Sequence, residues 1–177
     1  MKQDLRAFSS TANCYAFAVK CVNPVGGGTA RPGGATSNGD VAAYCAALIR
    51  GVQADGGNKV RFIAEYAAQG LLATDVPAAR NDWYLIAMLV KAEGFHFVRR
   101  QRKSAFGEPF WKWKEGNGGL EERSAYELSS NDNIRITDAR LPDLVKGGTL
   151  VTAHPSYVGW QRIAFFEVHK DGFTVTA

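Results

Sequence analysis

Trp83-Tyr84-Leu85-Ile86-Ala87-Met88-Leu89-Val90 is an unbroken apolar run, closed by Lys91-Ala92-Glu93-Gly94, which has the composition of a turn. A short apolar run without alternation suits a strand covered on both faces, and this one is shorter than a typical globular helix. It predicts a central, doubly buried strand. Beyond the turn, Phe95 to Arg100 and Pro109 to Lys114 read as two further strands joined by a polar segment around Lys103 and Ser104. If that hairpin is symmetric, His96 lies across from Trp113 on one face, with Cβ atoms about 5 Å apart.

Working outward toward the C-terminus, Gly116-Asn117-Gly118-Gly119 breaks the sheet, and Leu120 to Asn133 is polar enough for loop with one helical turn. Ile134 to Asp138 alternates as a short strand. Thr149 to Ala153 and Gln161 to His169 follow as strands, the latter turning at Asp171-Gly172 into Phe173 to Thr176.

Before Pro77 the period is helical. A first helix is predicted over Ala12 to Cys21, capped by Thr11 or Ser10 and stopped by Asn23-Pro24. Asp40 caps a second, whose Val41, Tyr44, Cys45, Leu48, Ile49 and Val52 share one face until Asp55-Gly56-Gly57 ends it. Pro24 to Gly39 lies between them; it is Gly-rich but has no Gly-Lys-Ser/Thr to cradle a phosphate, and it reads as a flexible surface segment beside Cys14. Val60 to Leu72 mixes strand-forming Val60, Phe62 and Ile63 with a helix-forming stretch from Ala64 to Gln69. Helices first and antiparallel strands after argue for an α+β fold.

A chain of 177 residues, 46% apolar and 21% charged, is sized and composed for one globular domain with a proper core. Its three cysteines, Cys14, Cys21 and Cys45, imply neither a disulfide framework nor a structural metal; no cofactor is implied, and a reducing compartment fits. The N-terminus carries no apolar h-region, and no apolar run approaches the roughly 18 residues that span a bilayer. A cytoplasmic or virion location without membrane contact is the expectation. The formal charge of +4 concentrates at Arg99-Arg100-Gln101-Arg102-Lys103, with Phe97, Phe106, Phe110, Trp111 and Trp113 interleaved. That composition would serve a single-stranded nucleic-acid platform. With no RNA or DNA motif beside it, it reads instead as a solvated hairpin tip, and nucleic acid is not the expected partner.

The chemistry-bearing stretch is Ser10-Thr11-Ala12-Asn13-Cys14-Tyr15-Ala16-Phe17-Ala18. A thiol at a helix start meets the positive end of the dipole and unpaired N–H groups, which favour the thiolate. The competing reading is a buried core cysteine, the role also assigned to Cys21 and Cys45. Asn13 either caps the helix or lines an oxyanion site near the Cys14 N–H. Asp138 is either functional or a turn-former after its strand, and His154 and His169 read as surface residues.

A helix-borne cysteine followed by a sheet that supplies histidine and then a carboxylate is the architecture of papain-like thiol hydrolases. Asn13-Cys14-Tyr15-Ala16-Phe17-Ala18, Pro32-Gly33-Gly34, Phe95-His96-Phe97-Val98-Arg99, Trp111-Lys112-Trp113-Lys114-Glu115-Gly116 and Ile136-Thr137-Asp138 occur in an order that resembles one papain-like group of bacteria, phages and molluscan shell matrices. That group's pattern is N-C-Y-x-Y-A, P-G, H-F-Y-R, W-S-H-K-P-G and I-x-D-P. The resemblance implies one papain-like domain over residues 1–177, with the Cys14 helix packed on an antiparallel sheet. It makes Cys14 the nucleophile and Asp138 the residue that orients the histidine, with Asn13, Trp111 and Trp113 as binding residues. The histidine of W-S-H-K falls on Trp113, whose indole cannot accept the thiol proton, so His96 becomes the candidate base. Two functions follow: a weakly active or degenerate cysteine peptidase or amidase, or an inactive structural or binding component, for example of a phage particle, with a peptide or protein partner. Trp113 favours the second.

Overall fold

The apolar run becomes the middle strand of a sheet. A computed structural model describes residues 12–26, 29–101, 109–112, 136–146 and 159–176. In it β1 (Val60–Ala67), β2 (Trp83–Lys91), β3 (Gly94–Gln101), β4 (Phe110–Lys112) and β5 (Arg162–His169) form a five-stranded sheet of order β1-β5-β2-β3-β4. All neighbouring pairs are antiparallel. Among the described residues, the α-helices α1 (Cys14–Ala18), α2 (Val41–Gly56) and α3 (Leu141–Lys146) complete an α+β architecture.

Because side chains alternate across a strand, β2 feeds two cores. Tyr84, Ile86, Met88 and Val90 join Phe97, Phe166 and Val168 under α1 and α2. Leu85, Ala87 and Leu89 join Val98, Trp111 and Phe165 under α3 and Trp160. The continuous apolar run is the price of serving both.

The ambiguous stretch after Val60 resolves as edge strand β1, with a register shift between Phe62 and Ala64. Pairing to β5 overrides the local helix preference of its alanines, as tertiary context commonly does. Helix α3 was not anticipated; Leu141, Leu144 and Val145, at spacings of three and four, carry its only signal. The strand expected over Ile134 to Asp138 shrinks, in its described part, to a single Thr137–Phe110 bridge before a 3₁₀ turn at Asp138–Arg140, and Phe173 to Thr176 contributes only a bridge to Val25. The strand expected over Thr149 to Ala153 and the segments from Gly116 to Asn133 lie outside the described residues.

Helix α1 is shorter than predicted. Asn13 Oδ1 accepts from the Ala16 N–H at 3.1 Å, so the cap is Asn13, while Ser10 and Thr11 lie outside the described residues. At the other end Lys20 takes a left-handed φ of 60°, and the N–H groups of Cys21 and Lys20 return to the carbonyls of Ala16 and Phe17 at 2.8 and 3.2 Å. This pair of bonds stops the helix before Asn23-Pro24 can. Asp40 caps α2 as expected, accepting from the Ala43 N–H at 3.1 Å.

The Gly-rich loop reaches α1 next to Cys14, where its Ala30 carbonyl accepts from Asn13 Nδ2, and it is anchored to α2 as well. Its Pro32–Gly34 turn packs directly on α2, where a Cβ built on Gly51 would lie 2.3 Å from the Pro32 carbonyl. Gly51→Ala is therefore expected to lower stability by about 1–3 kcal/mol through overpacking. Gly70→Ala, whose added methyl meets nothing within 4 Å, should be neutral or slightly stabilising. Urea midpoints of the two variants check the pair.

On the α3 side, fully buried Glu167 accepts from Arg61 Nε at 2.8 Å, Arg80 Nε at 2.9 Å and the Arg80 backbone N–H at 2.8 Å. Burial alone would raise its pKa, but these donors outweigh it and hold the carboxyl below its ordinary value. With the folded-state pKa depressed, the contribution is complete above the unfolded value of about 4.3 and is lost as pH falls through the folded one. Glu167→Gln is expected to cost about 2 kcal/mol at neutral pH. It should also flatten the acid limb of stability below about pH 5, a difference read from urea unfolding at successive pH values. Among the described residues, no helix is long and apolar enough to cross a membrane.

Candidate functional site

Cys14 opens α1 immediately after its cap and is 6% exposed, inside the core shared with Tyr15, Phe17 and Phe97. The cap is engaged at both ends of its amide, since Asn13 Nδ2 also donates to the Ala30 carbonyl at 2.7 Å. Of the roles considered for Asn13, these bonds bear out the helix cap. Its amide ties the loop to α1. Beside it, the Tyr15 hydroxyl donates to Asp55 Oδ2 at 2.8 Å, and Gly33 N–H donates to the same oxygen at 3.2 Å. Burial, then the Asp55 carboxylate, pushes the Tyr15 phenol up, so it stays protonated.

The decisive geometry is the alternation of β3. Phe95, Phe97 and Arg99 face α1: the Phe97 ring centroid lies 4.8 Å from that of Tyr15, and Arg99 Nη1 donates to the Phe17 carbonyl at 2.9 Å. His96, Val98 and Arg100 must then face the other way. His96 pairs with Leu89 of the second core and stacks on Trp160, with centroids 6.3 Å apart and planes at 26°. The sheet stands between Cys14 and His96. The assignment of His96 as base for Cys14 is corrected on this ground: α1 packs on the phenylalanine face of β3, and a strand cannot present consecutive residues to the same side. His169 lies on the His96 face as well, edge-on to Trp83, while His154 is outside the described residues.

Asp138 sits on the far face too, and it is occupied. Its Oδ1 accepts from Arg100 Nε at 2.9 Å and Trp111 Nε1 at 3.0 Å, and its Oδ2 accepts from Arg100 Nη2 at 2.5 Å. The carboxylate orients Arg100 and Trp111, which replaces the role of orienting a catalytic histidine. Trp111 is 0% exposed, so the binding role assigned to it from sequence gives way to a core role. Trp113 lies outside the described residues.

The expectation of a solvated basic tip also changes. Arg99 is 2% exposed, with its guanidinium carbon 4.2 Å from the centroid of Phe17, and burial lowers its pKa to about 10. It remains charged at neutral pH. The signal for this was present, because Arg99 follows Phe95 and Phe97 at period two. Cys21 and Cys45 are buried as predicted; burial first, then Glu65 beside it, pushes the Cys45 thiol up to about 12. Among the described residues, no group of three or more His, Cys, Asp or Glu is arranged to hold a metal ion.

No family model matches the chain, and neither a curated protein nor a solved structure matches it. What fold and site define together is an α+β protein with a buried helix-start thiol, separated by the sheet from His96 and Asp138.

Proposed function

We propose that this protein is a catalytically silent relative of the papain-like thiol hydrolases, serving as a binding or structural component whose partner is a peptide or another protein. For the phage members of the resembled group, that partner would be a fellow protein of the particle. The observation that carries the reading is the separation of Cys14 from His96 by the sheet. A thiol hydrolase needs a base within hydrogen-bond reach of its nucleophile, and the carboxylate that should orient this base is committed to Arg100 and Trp111. Sequence adds the replacement of the group's histidine by Trp113.

Alkylation of the folded protein by iodoacetamide tests it. Cys14 is expected to react no faster than Cys21 or Cys45, since all three thiols are buried. His96→Ala should leave the pH profile of Cys14 alkylation unchanged. Rapid, selective labelling of Cys14 that His96→Ala slows would overturn the silent reading in favour of a peptidase or amidase.

A further inference from the structure

Asn38 is followed by Gly39, and the pair ends the Gly-rich loop just before Asp40 caps α2. Both residues are exposed, and a Cβ built on Gly39 would meet nothing within 4 Å. The backbone nitrogen after an asparagine is a latent nucleophile toward the side-chain amide carbon, because its attack closes a five-membered ring. A Cβ on that following residue crowds the approach, and glycine has none. Among the described asparagines, Asn38 alone precedes glycine, whereas Asn13 is buried with both ends of its amide engaged.

Hydrogen bonds hold both reacting groups. Asn38 Oδ1 accepts from the Asp40 N–H at 3.0 Å. This turn folds the carboxamide back over the Asn38–Gly39 peptide, and the donor polarises the Cγ–Oδ1 bond toward addition. Gly39 N–H donates to Ser37 Oγ at 3.2 Å. The Ser37 hydroxyl in turn donates to the Ala92 carbonyl in the β2–β3 turn, so its lone pairs are left to face Gly39. An acceptor on the N–H raises the electron density of the nitrogen and marks the route by which its proton leaves.

We propose that Asn38 is a site of spontaneous modification in the folded protein, losing its side-chain amide through a cyclic imide with the Gly39 nitrogen, assisted by Ser37 Oγ and the Asp40 N–H. In the first step the Gly39 nitrogen bonds to Asn38 Cγ and gives its proton to solvent. The Cγ–Nδ2 bond breaks as Nδ2 takes a proton from solvent and leaves as ammonia. In the second step water adds to one of the two imide carbonyls and the C–N bond there breaks. Opening at Cγ gives aspartate; opening at the main-chain carbonyl gives isoaspartate, in which the backbone runs through Cγ. Water has replaced ammonia, and nothing is oxidised or reduced. Each event lowers the formal charge of +4 by one and places a carboxylate near the positive end of α2, where it is stabilised. Isoaspartate also lengthens the main chain by one methylene immediately before the cap. The proposal is independent of whether Cys14 is catalytic.

Timed incubation of the full chain in mildly alkaline buffer tests it, with peptide mapping by mass spectrometry and enzymatic carboxyl methylation to count isoaspartate. A guanidinium-unfolded sample run in parallel shows the conversion of Asn38 without the fold. First-order conversion of Asn38 is expected in the folded chain, faster at higher pH, with Asn13, Asn58 and Asn81 intact. Ser37→Ala should slow it about fivefold, the rate equivalent of one neutral hydrogen bond. Asn38→Gln, which would have to close a larger ring, should abolish it on the same time scale. An Asn38 that keeps its amide in the folded chain while the unfolded chain loses it would overturn the proposal. So would equal or faster conversion in Ser37→Ala.

Discussion

Trp111→Ala is expected to destabilise the protein by about 3–5 kcal/mol, the range for emptying a buried aromatic site. Trp111 is among the largest fully buried side chains and packs at 6.2 Å, centroid to centroid, on Phe165 of the second core. Its backbone N–H bonds to the Ile136 carbonyl at 2.7 Å, and its indole N–H bonds to Asp138. The residue therefore ties the outer strand β4 to the segment leading into α3. Trp111→Phe separates the two contributions, since it retains most of the volume and loses only the indole bond, for about 1–2 kcal/mol. Urea unfolding of both variants gives the comparison. A Trp111→Ala protein of unchanged stability would return the residue to a surface binding role.

Arg99→Ala should cost about 3 kcal/mol, combining a charge-assisted hydrogen bond with a desolvated cation–π contact. The guanidinium is the strand's grip on α1, because it meets the Phe17 carbonyl and ring together. Removing it leaves a void between β3 and the last turn of the helix. Arg99→Lys restores a charge without the planar fork and should recover only part of the loss. Thermal unfolding checks the order wild type, Arg99→Lys, Arg99→Ala. Equal stabilities for all three would mean that α1 is held by its apolar face alone.

Cys14 and His96 lie on opposite sides of the sheet for a reason that is only partly local. Period two already puts His96 opposite Phe95 and Phe97, whichever way the sheet faces. Sequence does not say which of those faces receives α1. That choice depends on Tyr15 meeting Phe97 and Arg99 meeting Phe17, contacts between residues far apart in the chain. Asp138 misled for a related reason: nothing local shows that Arg100 and Trp111 become cross-strand neighbours able to converge on it. Basic residues after Phe97 suggested solvent because charge is usually hydrated, while the carbonyls of a helix end offered Arg99 a buried partner.

What the sequence by itself determined is local and periodic. The apolar run of β2 required cover on both faces, the stripe of α2 with Asp40 ahead of it made a capped helix, and the turn after Lys91 made β3 antiparallel to β2. Tertiary structure alone decided that Val60 to Ala67 is an edge strand and that Gly51 lets a loop dock on α2. Hydrophobic periodicity is encoded within a few residues, whereas the face a helix covers, and the side chains it thereby brings together or keeps apart, is settled by the packing of distant segments.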